Sequence, residues 1–242
     1  MFYIKTFLLV FWLLFCCAVI SLVAVFRWGD TNLNHAYAKL LSTLAPLITG
    51  IRVVVENPER LEAFQPCVYV ANHQDNYDFV TFGALFPRRT VVIGKKELGW
   101  IPIFNIFFRG AGNVLLDRKK RTRAVASLNQ VIEVIEKKKA SVFIFPEGTR
   151  NQTGEGFLPF KKGAFHMAIS AGVPIVPMVV SSMRERIRYD QKRIIPGEIR
   201  VRILEPVSTQ GMKASDVDVL SANVRSKMIE AFHGLSTSSV NS

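Results

Sequence analysis

The sequence is poor in cysteine, with three in 242 residues. Cys16 and Cys17 are adjacent inside an apolar run, Cys67 stands alone, and no C-x-x-C occurs. This excludes a disulfide framework and a cysteine zinc site, and it suits a reduced compartment. Histidine is also scarce, four in all, with no H-E-x-x-H spacing. The histidine spacing of a zinc site is therefore not present. G-x-S-x-G is missing, so the nucleophile elbow of serine hydrolases is not available. There is no internal repeat and no low-complexity linker. Acidic residues are few, 19 against 31 basic ones, for a formal net charge of +12. Such a surplus suits an anionic partner: nucleic acid, an acidic membrane surface or a phosphorylated substrate. Hydrophobic residues make up 49% of the chain, which excludes disorder.

What is present begins with 21 residues free of charge, Thr6 to Phe26, bracketed by Lys5 and Arg27. A helix of about 20 apolar residues spans the hydrocarbon core of a membrane. The alternative is a cleavable signal peptide, whose apolar region is about 7–15 residues and ends at a small-residue site. Here the run leads into Phe26-Arg27-Trp28-Gly29-Asp30, so the segment is expected to remain as an anchor. Leu33, Tyr37, Leu40, Leu41, Leu44 and Ile48 then recur at helical steps. They predict a second helix, lying along the membrane or packed on the first. The organisation read from the sequence is anchoring helices over 1–50, an α/β domain over 51–234 and a polar tail over 235–242.

Seven short runs rich in β-branched residues predict strands at 51–56, 68–72, 90–94, 112–117, 141–145, 173–181 and 198–204. Helical spacing predicts helices over 122–137 and 162–171, the second stopping at Gly172. A last helix is expected to start at a capping pattern, Ser215-x-x-Asp218, and to end at Gly234. Strands alternating with helices predict an α/β fold with a mixed, largely parallel sheet flanked by helices.

The chemistry-bearing residues fall at expected strand ends, where open α/β sheets place ligands. Asn72-His73-Gln74-Asp75-Asn76-Tyr77-Asp78 follows the strand at 68–72. Asp78, one helical turn into the next helix, can reach back to His73 and make it a general base. The plainer alternative is that Asp75, Asn76 and Asp78 merely cap that helix. His35, His166 and His233 read as structural or surface residues, and Cys67 as a structural thiol. A second cluster, Phe145-Pro146-Glu147-Gly148-Thr149-Arg150, follows the strand at 141–145. It joins a glycine turn to a guanidinium, a combination suited to phosphate. A Glu147–Arg150 ion pair on a polar turn is the structural alternative. Between 99 and 118 the chain is apolar but broken by Pro102, Gly110 and Gly112, which suits an acyl-chain groove, lipid contact or core. The basic run 118–123 is either a solvated face or a contact to anionic lipid.

In order, these blocks resemble the lysophosphatidic acid acyltransferase family, the 1-acyl-glycerol-3-phosphate acyltransferases, over about residues 1–205. The likeness looks strongest to the bacterial inner-membrane type. His73 through Asp78 looks like the family's H-x-x-x-x-D motif, and Phe145 through Arg150 matches its third block. Lys95-Lys96-Glu97-Leu98 with Pro102, Gly112 and Asp117-Arg118 is similar to the second block, and Val173-Pro174-Ile175-Val176-Pro177 to the fourth. Asn105 departs from the pattern, which has a glycine there. The resemblance implies acyl transfer from acyl-CoA or acyl carrier protein to the sn-2 hydroxyl of lysophosphatidic acid, without an acyl-enzyme. His73 would be the base and Asp78 its partner. Arg150, Glu147, Gly148 and Thr149 would bind the substrate phosphate, with Lys95, Lys96 and Arg118 as auxiliary contacts. Val173, Pro174 and Pro177 would shape the acyl pocket. It further implies no metal or cofactor, a membrane-lipid partner, no nucleic acid, and a cytoplasm-facing catalytic domain at the bacterial inner membrane. The alternatives are a sister acyltransferase taking another lysolipid or an ornithine lipid, and a non-enzymatic basic protein that binds anionic lipid or nucleic acid at the membrane.

Overall fold

The structure is a computed structural model that describes residues 1–116, 121–151 and 156–238. Two helices open the chain, α1 (Phe2–Phe26) and α2 (Leu33–Thr49). Among the described residues α1 is the one helix long and apolar enough to cross a membrane. It spans about 37 Å at 1.5 Å per residue. Leu9, Cys16, Ile20 and Ala24 are buried against the protein, whereas Phe7, Phe11, Leu22 and Phe26 stand outside. Polar bonds tie α1 down: Trp12 Nε1 donates to Leu41 O at 3.1 Å and Ser21 Oγ to Ile103 O at 2.8 Å.

The buried stripe of α2 is Leu33, Asn34, Ala38, Leu41 and Ala45, rotated from the expected one, and Leu44 faces outward. The cause is polar. Asn34 and Asn113 exchange reciprocal amide bonds of 2.8 Å inside the protein, and Asn34 also donates to Thr90 O. An apolar count overlooks a buried amide and small alanines.

The remaining elements are β1 (Ile51–Glu56), α3 (Arg60–Ala63), β2 (Val68–Ala71), α4 (Asp78–Gly83), β3 (Thr90–Lys95), α5 (Pro102–Gly110), β4 (Val114–Leu116), α6 (Arg121–Lys138), β5 (Ser141–Ile144), α7 (Gly163–Ala171), β6 (Ile175–Val180), β7 (Ile187–Arg188), β8 (Arg193–Ile194), β9 (Gly197–Ile203) and α8 (Val217–Ser238). All seven expected strands join one sheet in the order β1-β9-β6-β2-β5-β3-β4. Its pairings are parallel except β6 with β9. The fold is thus the expected mixed, largely parallel α/β sheet.

Side chains alternate across the sheet, and both faces are covered. Val68, Val70 and Val142 pack with Val131 of α6, Phe165 of α7 and Leu220 and Val224 of α8. Tyr69, Ala71, Val176 and Met178 pack on the other face with Leu9 of α1, Ala45 of α2 and Val80 of α4. Gly110 lets α5 cross α1 closely, since a Cβ there would sit 2.6 Å from Ala24 Cβ. Gly172 ends α7 in the left-handed conformation, as expected.

Two details differ from expectation. The last helical segment is capped earlier: Asp216 accepts the Lys213 N–H at 2.7 Å, while Asp218 pairs with Lys162. Lys213 leaves a loop in extended conformation, so its N–H needs the carboxylate three residues on. The helix also runs past Gly234 to Ser238, because Leu235 is buried in the core. The two-stranded β7–β8 hairpin was not signalled by the sequence, its strands being two residues each.

Candidate active site

The parallel strands β2, β5 and β3 end at one edge of the sheet, and their loops build the site. Where β2 stops, Asn72 continues the pairing with its side chain. Its Nδ2 donates to Val180 O at 3.0 Å, and its Oδ1 accepts the Val180 N–H at 2.8 Å. His73 is thereby held at a fixed height above the sheet. Its Nδ1 lies 2.5 Å from Asp78 Oδ2 at the start of α4. That same oxygen accepts the N–H groups of Gln74 and Asp75, at 3.0 and 3.3 Å. One carboxylate oxygen therefore fixes both the turn and the ring. Burial pushes the Asp78 carboxyl above its usual range, and the imidazole and the two N–H groups hold it back down. The His73 side chain is 19% exposed, and Nε2 is its ring nitrogen remote from Asp78.

The second loop touches the first at three points. The Phe145 ring stacks on the imidazole with centroids 4.0 Å apart and planes within 10°. Glu147 Oε1 accepts the His73 backbone N–H at 2.9 Å, and Oε2 accepts the Leu158 N–H at 2.9 Å. The His73 carbonyl accepts the Asn151 N–H at 2.7 Å. Gly148 turns the chain with φ +69, and its N–H donates to Phe145 O at 3.1 Å. A side chain there would be strained. Thr149 and Arg150 face solvent beyond the turn.

Glu147 thus takes a task other than the expected phosphate contact. It is 2% exposed, and its oxygens serve two backbone donors rather than a ligand or Arg150. Burial raises its carboxyl above the usual range, opposed by those same donors. An acceptor-only group pointing inward has nothing to offer an anion.

The other expected residues divide by position. Lys95 ends β3 and Lys96 opens a short 3-10 turn, both exposed. Val92 of β3 pairs with Phe143 of β5, so Lys95 stands level with Pro146. Arg118 lies outside the described residues. Val173 and Pro174 do not join His73. Val68 N–H donates to Pro174 O at the start of β2, so both sit at the opposite end of the sheet. Pro177 is buried within β6, opposite Val70. Of the three, Val173 packs in the core and Pro174 is half-buried at that far end, while Pro177 lies in mid-strand. Asn105, on α5, accepts Arg109 Nε at 2.9 Å with its Oδ1. Burial pushes the Cys67 thiol up to about 12, which leaves it a structural group.

Sequence reasoning missed two buried amides. Gln74 donates to Val180 O and Ser181 O at 3.0 and 2.9 Å and accepts the Met183 N–H at 3.1 Å. With Asn72 it clamps the His73 turn to the end of β6. The signal was their place within the histidine motif. A cleft of about 810 Å³ opens behind this turn, between Gln74–Asn76 and Met183–Asp190. The imidazole is not among its lining residues.

A buried carboxylate behind a partly exposed imidazole is an arrangement that can take up and return a proton. The model of the family described as Acyltransferase matches residues 52–181. The chain is 38% identical over 217 residues to a 1-acyl-sn-glycerol-3-phosphate acyltransferase of Haemophilus influenzae, covering 88% of this chain and 89% of that one. It is 37% identical over 227 residues to the alpha form of that enzyme from Mus musculus, covering 93% and 79%. The crystal structure of the 1-acyl-sn-glycerophosphate acyltransferase PlsC from Thermotoga maritima superposes with a TM-score of 0.73 at 27% identity, covering 97% and 98%. The chain belongs to the 1-acyl-sn-glycerol-3-phosphate acyltransferase family and is an O-acyltransferase.

Proposed function

We propose that this enzyme moves an acyl chain from a thioester donor, acyl-CoA or acyl carrier protein, to the sn-2 hydroxyl of a 1-acyl-glycerol-3-phosphate, giving phosphatidic acid. The observation that carries the chemistry is the 2.5 Å contact between His73 Nδ1 and Asp78 Oδ2. It fixes the tautomer with Nε2 as the proton acceptor. Nε2 takes the hydroxyl proton as the oxygen attacks the thioester carbonyl. The tetrahedral intermediate collapses, the C–S bond breaks, and the imidazolium returns its proton to the leaving thiolate. Asp78 stabilises the imidazolium between these steps, a role its burial strengthens. No acyl-enzyme forms.

Arg150, Thr149 and the Gly148 turn receive the acceptor's phosphate, with Lys95, Lys96 and Arg118 as auxiliary cations. Their reading is supported by the exposure of Arg150, Lys95 and Lys96 at the edge that carries His73. The acyl groove belongs to the apolar run between 99 and 118, whose Trp100, Ile101, Ile103 and Ile106 side chains are exposed. Residues 1–50 anchor the domain over 51–234 to the bacterial inner membrane, facing the cytoplasm. The exposed apolar side of α1, with exposed Leu47 of α2 and Ile103 and Ile106 of α5, supports the anchoring.

The test is free-thiol release by purified full-length protein from a panel of acyl-CoA and acyl carrier protein donors. Lysophosphatidic acid, other lysolipids and an ornithine lysolipid serve as acceptors. Release that depends on lysophosphatidic acid supports the reading. Release with another acceptor alone, or none with any, rejects it.

A further inference from the structure

The β7–β8 hairpin has no place in the chemistry above. It projects from the end of β6 beside the first turn of α1. The Phe2 and Tyr189 rings meet edge to face at 6.1 Å, and Lys192 Nζ lies 5.7 Å above the Tyr3 ring. Tyr3 and Ile4 are 65% and 62% exposed, so the apolar side of α1 runs directly up to the hairpin.

Its composition is strongly basic. Residues 184–193 hold five Arg and Lys side chains against two acidic ones. Asp190 is occupied by Arg188, through bonds of 3.3 Å. Lys192 and Arg193 are exposed at the tip and the returning strand. The hairpin is also held firmly. Tyr189 Oη donates to Asp75 Oδ1 at 2.7 Å, and Ile187 and Ile194 are buried in the core. A rigid projection bearing an aromatic ring and exposed cations, at the end of an apolar helix, has the composition of a bilayer interface.

We propose that this hairpin is a second membrane contact, whose Lys192 and Arg193 bind anionic phospholipid headgroups while α1 enters the apolar layer. The proposal rests on the membrane reading of α1 and extends it from anchoring to a choice of lipid. Two faces of the sheet provide a control. Lys213 and Lys227 are exposed at and on α8, across the sheet from α1.

Full-length protein in detergent is partitioned into phosphatidylcholine vesicles with and without phosphatidylglycerol, and the ratio of the two partition coefficients is read. Lys192→Gln with Arg193→Gln should lower that ratio about 5-fold per residue, roughly 25-fold together, from the usual worth of a basic residue near an anionic surface. Lys213→Gln with Lys227→Gln should leave it unchanged. Added salt should narrow the difference. Thiol release in detergent, equal to wild type, verifies that the hairpin variant is folded. A wild-type ratio in the hairpin variant overturns the proposal, as does an equal loss in the control pair. So does a variant that keeps the ratio but fails only with acyl carrier protein donors, which would make the hairpin a carrier-protein contact. Wild-type protein that enters neither vesicle overturns the membrane reading and the proposal with it.

Discussion

Replacing Glu147 with glutamine separates a strut from a ligand. The carboxylate bridges two backbone donors, His73 N–H and Leu158 N–H, each at 2.9 Å. An amide of the same shape keeps one acceptor oxygen and turns an NH₂ toward the other donor. A buried N–H left unpaired costs about 1–3 kcal/mol. For a chain of this size that lowers the melting temperature by about 2–4 °C per kcal/mol. The effect on rate is larger, because His73 hangs from one of the two bonds. Misplacing a catalytic group by about 1 Å costs on the order of 10²-fold. Glu147→Gln should therefore lose about 10²-fold in kcat, with the acceptor KM nearly unchanged and the loss equal for lysophosphatidic acid and an uncharged monoacylglycerol. The assay is steady-state thiol release with both acceptors, beside thermal unfolding. A variant with normal kcat and melting temperature, but a selective loss for the phosphorylated acceptor, would refute the strut and restore Glu147 as a phosphate contact.

Arg150→Ala should behave in the opposite way. Losing one or two charge-assisted bonds of about 1.5–3 kcal/mol each costs roughly 10- to 1,000-fold in kcat/KM for lysophosphatidic acid, spares the uncharged acceptor, and is only partly recovered by Arg150→Lys. Equal losses for both acceptors, or a collapsed melting temperature, would make Arg150 structural. Asp78→Asn should lose on the order of 10⁴-fold in rate, as a carboxylate that fixes an imidazole tautomer does; a folded variant within about tenfold of wild type counts against that role. Cys67 should show in alkali. Its thiol is raised from 9.0 to about 12 by burial, so its contribution to stability is complete below pH 9 and lost as pH climbs toward 12. The fall in melting temperature across that window should be shallower in Cys67→Ala, and parallel curves would show that the thiol is not desolvated.

Much of the fold was legible because its strands advertise themselves. Runs such as Val68–Ala71 and Ile175–Val180 are buried on both sides, and a strand buried on both faces reads as a continuous apolar stretch. The His73–Asp78 pair was legible because both ends lie within one short motif. Three features were not, each for a physical reason. Glu147 looks like a surface carboxylate until the parallel register sets it beside a backbone N–H 74 residues away in sequence. The stripe of α2 turns on Asn34, a polar residue satisfied by the distant Asn113 and Thr90. The β7–β8 hairpin has strands too short for any period to show, and its charges read as loop. Val173 and Pro174 were recognisable as a motif, but a motif's position along a strand decides which end of the sheet it serves, and that needs the register.

The most direct test of His73 as the base is the transfer rate of His73→Ala at neutral pH, with lysophosphatidic acid and acyl-CoA and with folding verified by thermal melting. A positioned base contributes about 10²–10⁴-fold, so the variant should retain no more than a hundredth of the wild-type rate while melting as wild type does. A folded His73→Ala enzyme that keeps more than about a tenth of that rate would show that the proton goes elsewhere.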